Sequence, residues 1–237
     1  MGVKIHRKAL SRIYKQNNVR FKSAKYHFAL PRNVTKEEKQ REQEKFVLQH
    51  VSWLEDERDI LYFDESSCNL WQKRLKVWRT VDAPLPCYLQ PQQGGNVTML
   101  GAVSTKSDRA YVQVAAKTNK EHVLAFFEQY LQDHRGAILV MDNHKAHRGY
   151  ELRSLCEEYG ITMAFLPSNS SQLNPVERLW SLVKAKWANH LLDHRVTPVQ
   201  AADILLGIIQ QIPPASIEGV LRSSHRMMTQ VMDGHLI

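Results

Sequence analysis

The sequence predicts an α/β fold in which a mixed β-sheet is covered by helices. Three observations carry this. Extended segments with short links follow one another in the first half of the chain. Strands and helices then alternate. The apolar runs of the second half are short and bounded by helix-start signals. Hairpins make antiparallel pairs and helical crossovers make parallel ones, so this order gives a mixed sheet. With 237 residues the chain suits one large domain, or one domain plus a small appendage.

Each element has a local reason. Residues 5–30 hold a short basic helix followed by "NNVRFKSAKY". "PRNVTKEE" signals a new start, where Thr35 and Glu38 form a capping box. The helix it opens is expected to reach about residue 55, with Phe46, Val47, Val51 and Leu54 on one side, as a connector over 37–57. "RDILYFDESS" reads as a strand ending at Asp64. Its period of two puts Ile60, Tyr62 and Asp64 on one face, and Leu61, Phe63 and Glu65 on the other. Strands at about 75–81, 97–104 and 110–116 follow, with a Pro/Gln/Gly-rich loop at 82–96, and suggest an antiparallel meander. Thr118 with Glu121 is a second capping box, opening a helix to about 134. "AILVM" at 137–141 has the composition of a mid-sheet strand. A helix follows, stopped by Gly160, then the strand "ITMAFL". Asn174 and Pro175 start a long helix to about 191, Thr197-Pro198 starts another, and Pro213-Pro214 precedes a last one, so that 193–237 is helical.

Composition narrows the function classes. The strongest apolar stretch, 204–209, is far too short to span a bilayer, and the basic amino terminus lacks the apolar core of a signal peptide. Cys68, Cys87 and Cys156 are far apart with no C-x-x-C spacing, which argues against a disulfide framework or a zinc ribbon. The expectation is a soluble protein made and used inside a cell. Charge is uneven. Of 32 Lys and Arg, residues 1–36 hold ten and no acid, leaving 22 against all 24 acids elsewhere. Such an arm is an electrostatic footprint for polyphosphate, with Lys4, Arg7, Lys8, Arg12, Lys15, Arg20, Lys22 and Lys25 as the candidate nucleic-acid contacts. Interleaved Ile13, Tyr14, Phe21, Tyr26 and Phe28 argue against a merely solubilising tail.

Three acids stand out. Asp64 and Asp142 each follow an apolar strand, and ligands in such sheets gather where strands end. Glu177 falls in the first turn of a helix. Each has a plainer reading: Asp64 and Asp142 as turn residues, Glu177 as the partner of Asn174 in a capping box. Three carboxylates brought together repel one another and raise each other's pKa, so a chain gathers them for a cation. Oxygen ligands suit Mg²⁺ or Mn²⁺, and two such ions about 3.5–4 Å apart activate a water and stabilise the leaving 3′ oxygen of a phosphodiester. Convergence of the three acids is the premise.

"YFDES" at 62–66, "VMDNHKAH" at 140–147 and "FLPSNSSQLNPVERLW" at 165–180 resemble the three catalytic blocks of the mariner superfamily of DDE transposases, including its bacterial insertion-sequence relatives. The resemblance covers about 58–192. It implies a ribonuclease-H-like mixed five-stranded sheet flanked by helices, with Asp64, Asp142 and Glu177 as the metal-binding catalytic triad. It also implies Mg²⁺, replaceable by Mn²⁺, cleavage of transposon ends, transfer of the 3′ hydroxyl into target DNA, and in some members a homodimer. Asn143 and His147 stand where the second block has its Asn and His, and imply supporting roles; a packing histidine is the plain alternative for His147. Lys184, seven residues beyond Glu177, is a candidate phosphate contact or an ordinary solvated lysine. Trp180 and Trp187 read as packing residues. Relatives usually carry two helix-turn-helix modules before the catalytic domain, and 1–36 resembles at most the tail of the second. A truncated or domesticated transposase that binds DNA without cutting it is therefore the alternative, and a ribonuclease acting on RNA–DNA hybrids is a third reading, disfavoured by "LNPVE".

Overall fold

The computed structural model describes residues 7–17, 34–70, 95–115, 118–194 and 196–237. The chain divides into two compact units, Met1–Asn33 and Val34–Ile237. In the first, α1 (Arg7–Gln16) is the expected basic helix, with Lys8, Arg12 and Lys15 exposed along it. Lys4, Arg20, Lys22, Lys25, Cys87, the strand expected at 75–81 and most of the loop at 82–96 lie outside the described residues.

The second unit is built on a five-stranded sheet. Its strands are β1 (Ile60–Asn69), β2 (Asn96–Ser104), β3 (Ala110–Ala115), β4 (Ile138–Met141) and β5 (Thr162–Phe165), in the order β3-β2-β1-β4-β5. The β1–β2 and β2–β3 pairs are antiparallel, and the β1–β4 and β4–β5 pairs are parallel. Helices α2 (Lys36–Glu55), α5 (Pro175–Asp193), α6 (Pro198–Gln210) and α7 (Pro214–Met232) cover one face, over Ile60, Tyr62, Val103, Ile138 and Val140. Helices α3 (Lys120–Tyr130) and α4 (Tyr150–Glu158) cover the other, over Leu61, Phe63, Leu100, Leu139 and Met141. β4 is buried on both faces, which is why it reads as an unbroken apolar run. Trp180 and Trp187 of α5 are buried on the sheet, as expected of packing residues, and Cys68 and Cys156 are buried free thiols.

Three local expectations need correction. β1 does not end at Asp64. It continues to Asn69 because β2 pairs with it along that whole length, up to Asn69↔Asn96. Pairing with β4 does stop early, at Tyr62↔Val140, so the sheet splits on one side of Asp64 only. The third helix is capped by Asn119, which accepts from His122 N at 2.9 Å, and not by Thr118 with Glu121. Asn outranks Thr as an N-cap. In α2 the buried face is Lys39, Gln43, Phe46, Val47, His50 and Trp53, whereas Val51 and Leu54 are 41% and 38% exposed. The polar members are tolerated inside because partners wait for them. Gln43 Nε2 donates to Ser170 Oγ at 2.9 Å, and the His50 ring is hydrogen-bonded to the Tyr62 hydroxyl. Thr35 and Glu38 do close the capping box of α2. Among the described residues no single helix is long and apolar enough to cross a membrane.

Candidate functional site

The site forms where β1 and β4 part. Extending their register, Ile60↔Ile138, Leu61↔Leu139 and Tyr62↔Val140, by two residues sets Asp64 alongside Asp142. Asp64 alternates with Ile60 and Tyr62 of the core under α5, whereas Asp142 lies just past the end of β4. Glu177 comes from the first turn of α5. That turn is tied to β1 by Asn174, whose Nδ2 donates to the Phe63 carbonyl at 3.0 Å, one residue before Asp64. The Asn174 Oδ1 accepts from Val176 N at 3.1 Å, so α5 is capped without the reciprocal bond to Glu177 that a capping box needs. One turn further on, Trp180 Nε1 donates to Asp64 Oδ2 at 3.1 Å.

The electrostatics follow from this placement. Burial pushes the Asp64 carboxyl up to about 7, and the negative charge of Glu177 adds to it. The Glu65 backbone N–H and the Trp180 indole pull the other way, and Asp142 adds a smaller push upward. Asp64 is thus within electrostatic reach of both other acids. His147, in the 3₁₀ turn Lys145–Arg148, is buried beside Asp142 and Phe63. Its Nδ1 is 2.7 Å from Asp142 Oδ1, close enough for an ion pair but off the line of a regular hydrogen bond. Its Nε2 is 3.4 Å from Glu65 Oε1. Burial opposes a charge on the ring, but the two carboxylates outweigh it and the His147 pKa is raised.

The donor set suits a hard divalent cation. It is all carboxylate oxygen, and its innermost member is crowded by like charge, which a cation relieves. The ligand shell is not closed, however. Among the described residues no three Asp, Glu, His or Cys side chains converge on one ion position, and Asp142 turns an oxygen toward His147. The remaining candidates are placed as follows. Asn143 accepts from Arg148 Nη2 and is exposed. Lys184 is half-buried within electrostatic reach of Cys68, farther along β1. The first unit, with Arg7, Lys8, Arg12 and Lys15, is compact by itself.

Sequence reasoning passed over two contributors. Gly101 pairs with Asp64 across β1 and β2, and a Cβ there would lie 2.4 Å from Trp180 Cη2. A glycine inside an apolar strand is a sign of close approach by another group, and "TMLGAV" carries that sign. The second is Asn174, whose bond to the Phe63 carbonyl has no sequence signal beyond its capping position.

A mixed sheet of this order, with helices on both faces and acids at the split between its central strands, is the ribonuclease-H-like fold of transposase catalytic domains. The chain belongs to the DDE superfamily endonuclease family, whose pattern matches residues 59–196. Its fold is similar to the crystal structure of the catalytic domain of Mos1 mariner transposase, at 13% identity over 86% of this chain and 95% of that one, TM-score 0.56. It is also similar to the Mos1 mariner paired end complex with Mn, at 14% identity over 96% and 69% of the two chains, TM-score 0.60. The Mos1 strand transfer complex matches at 15% identity over 97% and 70%, TM-score 0.56. No curated protein matches the chain in sequence.

Proposed function

We propose that this protein is a metal-dependent DNA transposase that cuts strands at transposon ends and joins the 3′ hydroxyl to target DNA. The observation that carries the reading is Asp64 itself, set alongside Asp142 by the register of β1 and β4 and hydrogen-bonded by Trp180 of the helix that carries Glu177. It is a carboxyl on the central strand, lifted to about 7 by burial and by two neighbouring acids. Repulsion of this kind marks sites that receive a positive charge. The neighbours of the same fold add support, since one is a paired end complex with Mn and another a strand transfer complex.

In this reading Asp64, Asp142 and Glu177 hold Mg²⁺, with Mn²⁺ as a substitute. When bound, two such ions activate the attacking oxygen and stabilise the departing 3′ oxygen. The chain's own residues do the positioning. β1 and β4 present Asp64 and Asp142 side by side, and the capped first turn of α5 presents Glu177. His147, braced by Glu65, fixes the orientation of Asp142. Asn143, Lys184 and the basic residues of the arm take phosphate oxygens, and the protein acts as a homodimer on DNA inside the cell. Residues 58–192 form the catalytic domain and 193–237 its C-terminal helices. The arm, 1–36, contributes to DNA binding, and the connector over 37–57 follows it. Binding through phosphates is strongly salt-dependent.

The test is nicking of a labelled duplex by the natural protein and by Asp142→Ala, with Mg²⁺, Mn²⁺ or Ca²⁺. Cleavage with Mg²⁺ or Mn²⁺, absent with Ca²⁺ and lost in the variant, is expected. A folded protein that binds DNA and never nicks it would instead be a DNA-binding descendant of a transposase.

A further inference from the structure

Trp180 has more order than packing requires. It is fully buried, and its ring lies over the one position in β2 that has no side chain. A Cβ at Gly101 would sit 2.4 Å from Cη2 and 2.7 Å from Cζ2, far inside contact distance. The absent side chain lets the indole reach the level of the Asp64↔Gly101 pair, and at that level its N–H meets Asp64 Oδ2 at 3.1 Å. Trp187 is a natural comparison. It is buried on the same core, but its Nε1 donates to a backbone carbonyl, that of Asn69, at 3.1 Å. One tryptophan of α5 thus braces the strand, and the other braces a carboxylate.

Resting on the reading of the acid cluster as a divalent-cation site, we infer that Trp180 is a positioning residue for Asp64, aimed by the notch at Gly101. The indole N–H takes one lone pair of Oδ2 and, with the Glu65 backbone N–H, fixes the carboxylate plane, so that the remaining lone pairs face a set direction for the ion. Hydrogen bonds from outside a ligand set orient the ligands, and their loss typically costs about 10- to 100-fold in metal affinity. Phenylalanine fills most of the same volume without the N–H, so Trp180→Phe separates orientation from packing.

The experiment is Mn²⁺ binding to the whole chain, followed by the electron paramagnetic resonance of the free ion. It compares the natural protein with Trp180→Phe, Trp187→Phe and Asp64→Asn, each checked for folding by circular dichroism. Trp180→Phe is expected to weaken binding about tenfold or more, and Trp187→Phe to leave it unchanged. If Asp64→Asn abolishes binding while Trp180→Phe binds like the natural chain, the indole only packs; the inference falls and the acid site stands. If Asp64→Asn still binds Mn²⁺ fully, the acid-site reading falls and takes this one with it. Should Trp180→Phe not fold, the natural protein answers through its ¹⁵N-labelled indoles. Added Mg²⁺ should shift the assigned Trp180 Nε1–H resonance and spare that of Trp187, and an unmoved Trp180 signal would overturn the inference.

Discussion

Asp64→Asn keeps the shape of the side chain and an oxygen for Trp180, and removes only the charge. In the metal-free protein that charge is a burden. The Asp64 carboxyl rises from an ordinary 3.8 to about 7 in the fold, through burial first and Glu177 second. Between those two values the folded state holds the proton more tightly than the unfolded chain does. Stability therefore falls as pH climbs through the window, and the loss is complete above the folded value. At about 1.4 kcal/mol per pH unit, the rise from 3.8 to about 7 sets a ceiling of about 4 kcal/mol. Water and salt reach the cluster, since the Asp142 side chain is 53% exposed, and about 2 kcal/mol is a fair working figure after screening. For a chain of this size that corresponds to about 4–8 °C in Tm. The assay is thermal unfolding in a chelator, near pH 8 and near pH 5. The asparagine variant should be the more stable protein at the higher pH and should keep less than half of that advantage at the lower one. Equal stability at both, or a loss at the higher pH, would show that Asp64 is not crowded by like charge.

Further expectations test the surrounding framework. Gly101→Ala forces a methyl group into the Trp180 ring and should cost about 1–3 kcal/mol in urea unfolding, with an altered tryptophan emission spectrum. Asn174→Ala removes both a helix cap and a buried bond to β1, so a loss of about 2 kcal/mol is expected from denaturation. Removing residues 1–33 should weaken duplex binding and flatten the plot of log affinity against log salt by about 0.9 for each phosphate that the arm neutralises. An unchanged slope would show that the arm touches no DNA.

The layered architecture was open to reading because it is written in period and composition. The alternation in "RDILYFDESS" places Asp64 on the face of Ile60 and Tyr62, and that is the face α5 covers. The end of the strand was not readable in the same way. Apolar residues report where a core lies over a strand, while the ladder to Asn69 is made by backbone groups that any residue supplies. The inward face of α2 was misjudged for a related reason. Gln43 and His50 are buried because Ser170 and Tyr62 answer them, and those partners are distant in sequence. The acids themselves were found through the motif around Glu177, since no local pattern links Asp64 to Asp142. Their adjacency comes from parallel pairing across a helical crossover. The indole N–H of Trp180 looked like packing because helical spacing records which face is buried and is silent about which atom is aimed.

The loop between β5 and α5 has a property unlike that of most surface connections. Gln43 of α2 holds Ser170 at 2.9 Å, Ser224 of α7 donates to the Leu173 carbonyl at 2.6 Å, and Asn174 reaches β1 at 3.0 Å. Three separate elements thus hold three positions within a five-residue stretch, which ends just before the turn that carries Glu177. Ordinary loops absorb insertions cheaply. Here one extra residue would displace the start of α5, so the length of this segment sets where Glu177 stands relative to β1.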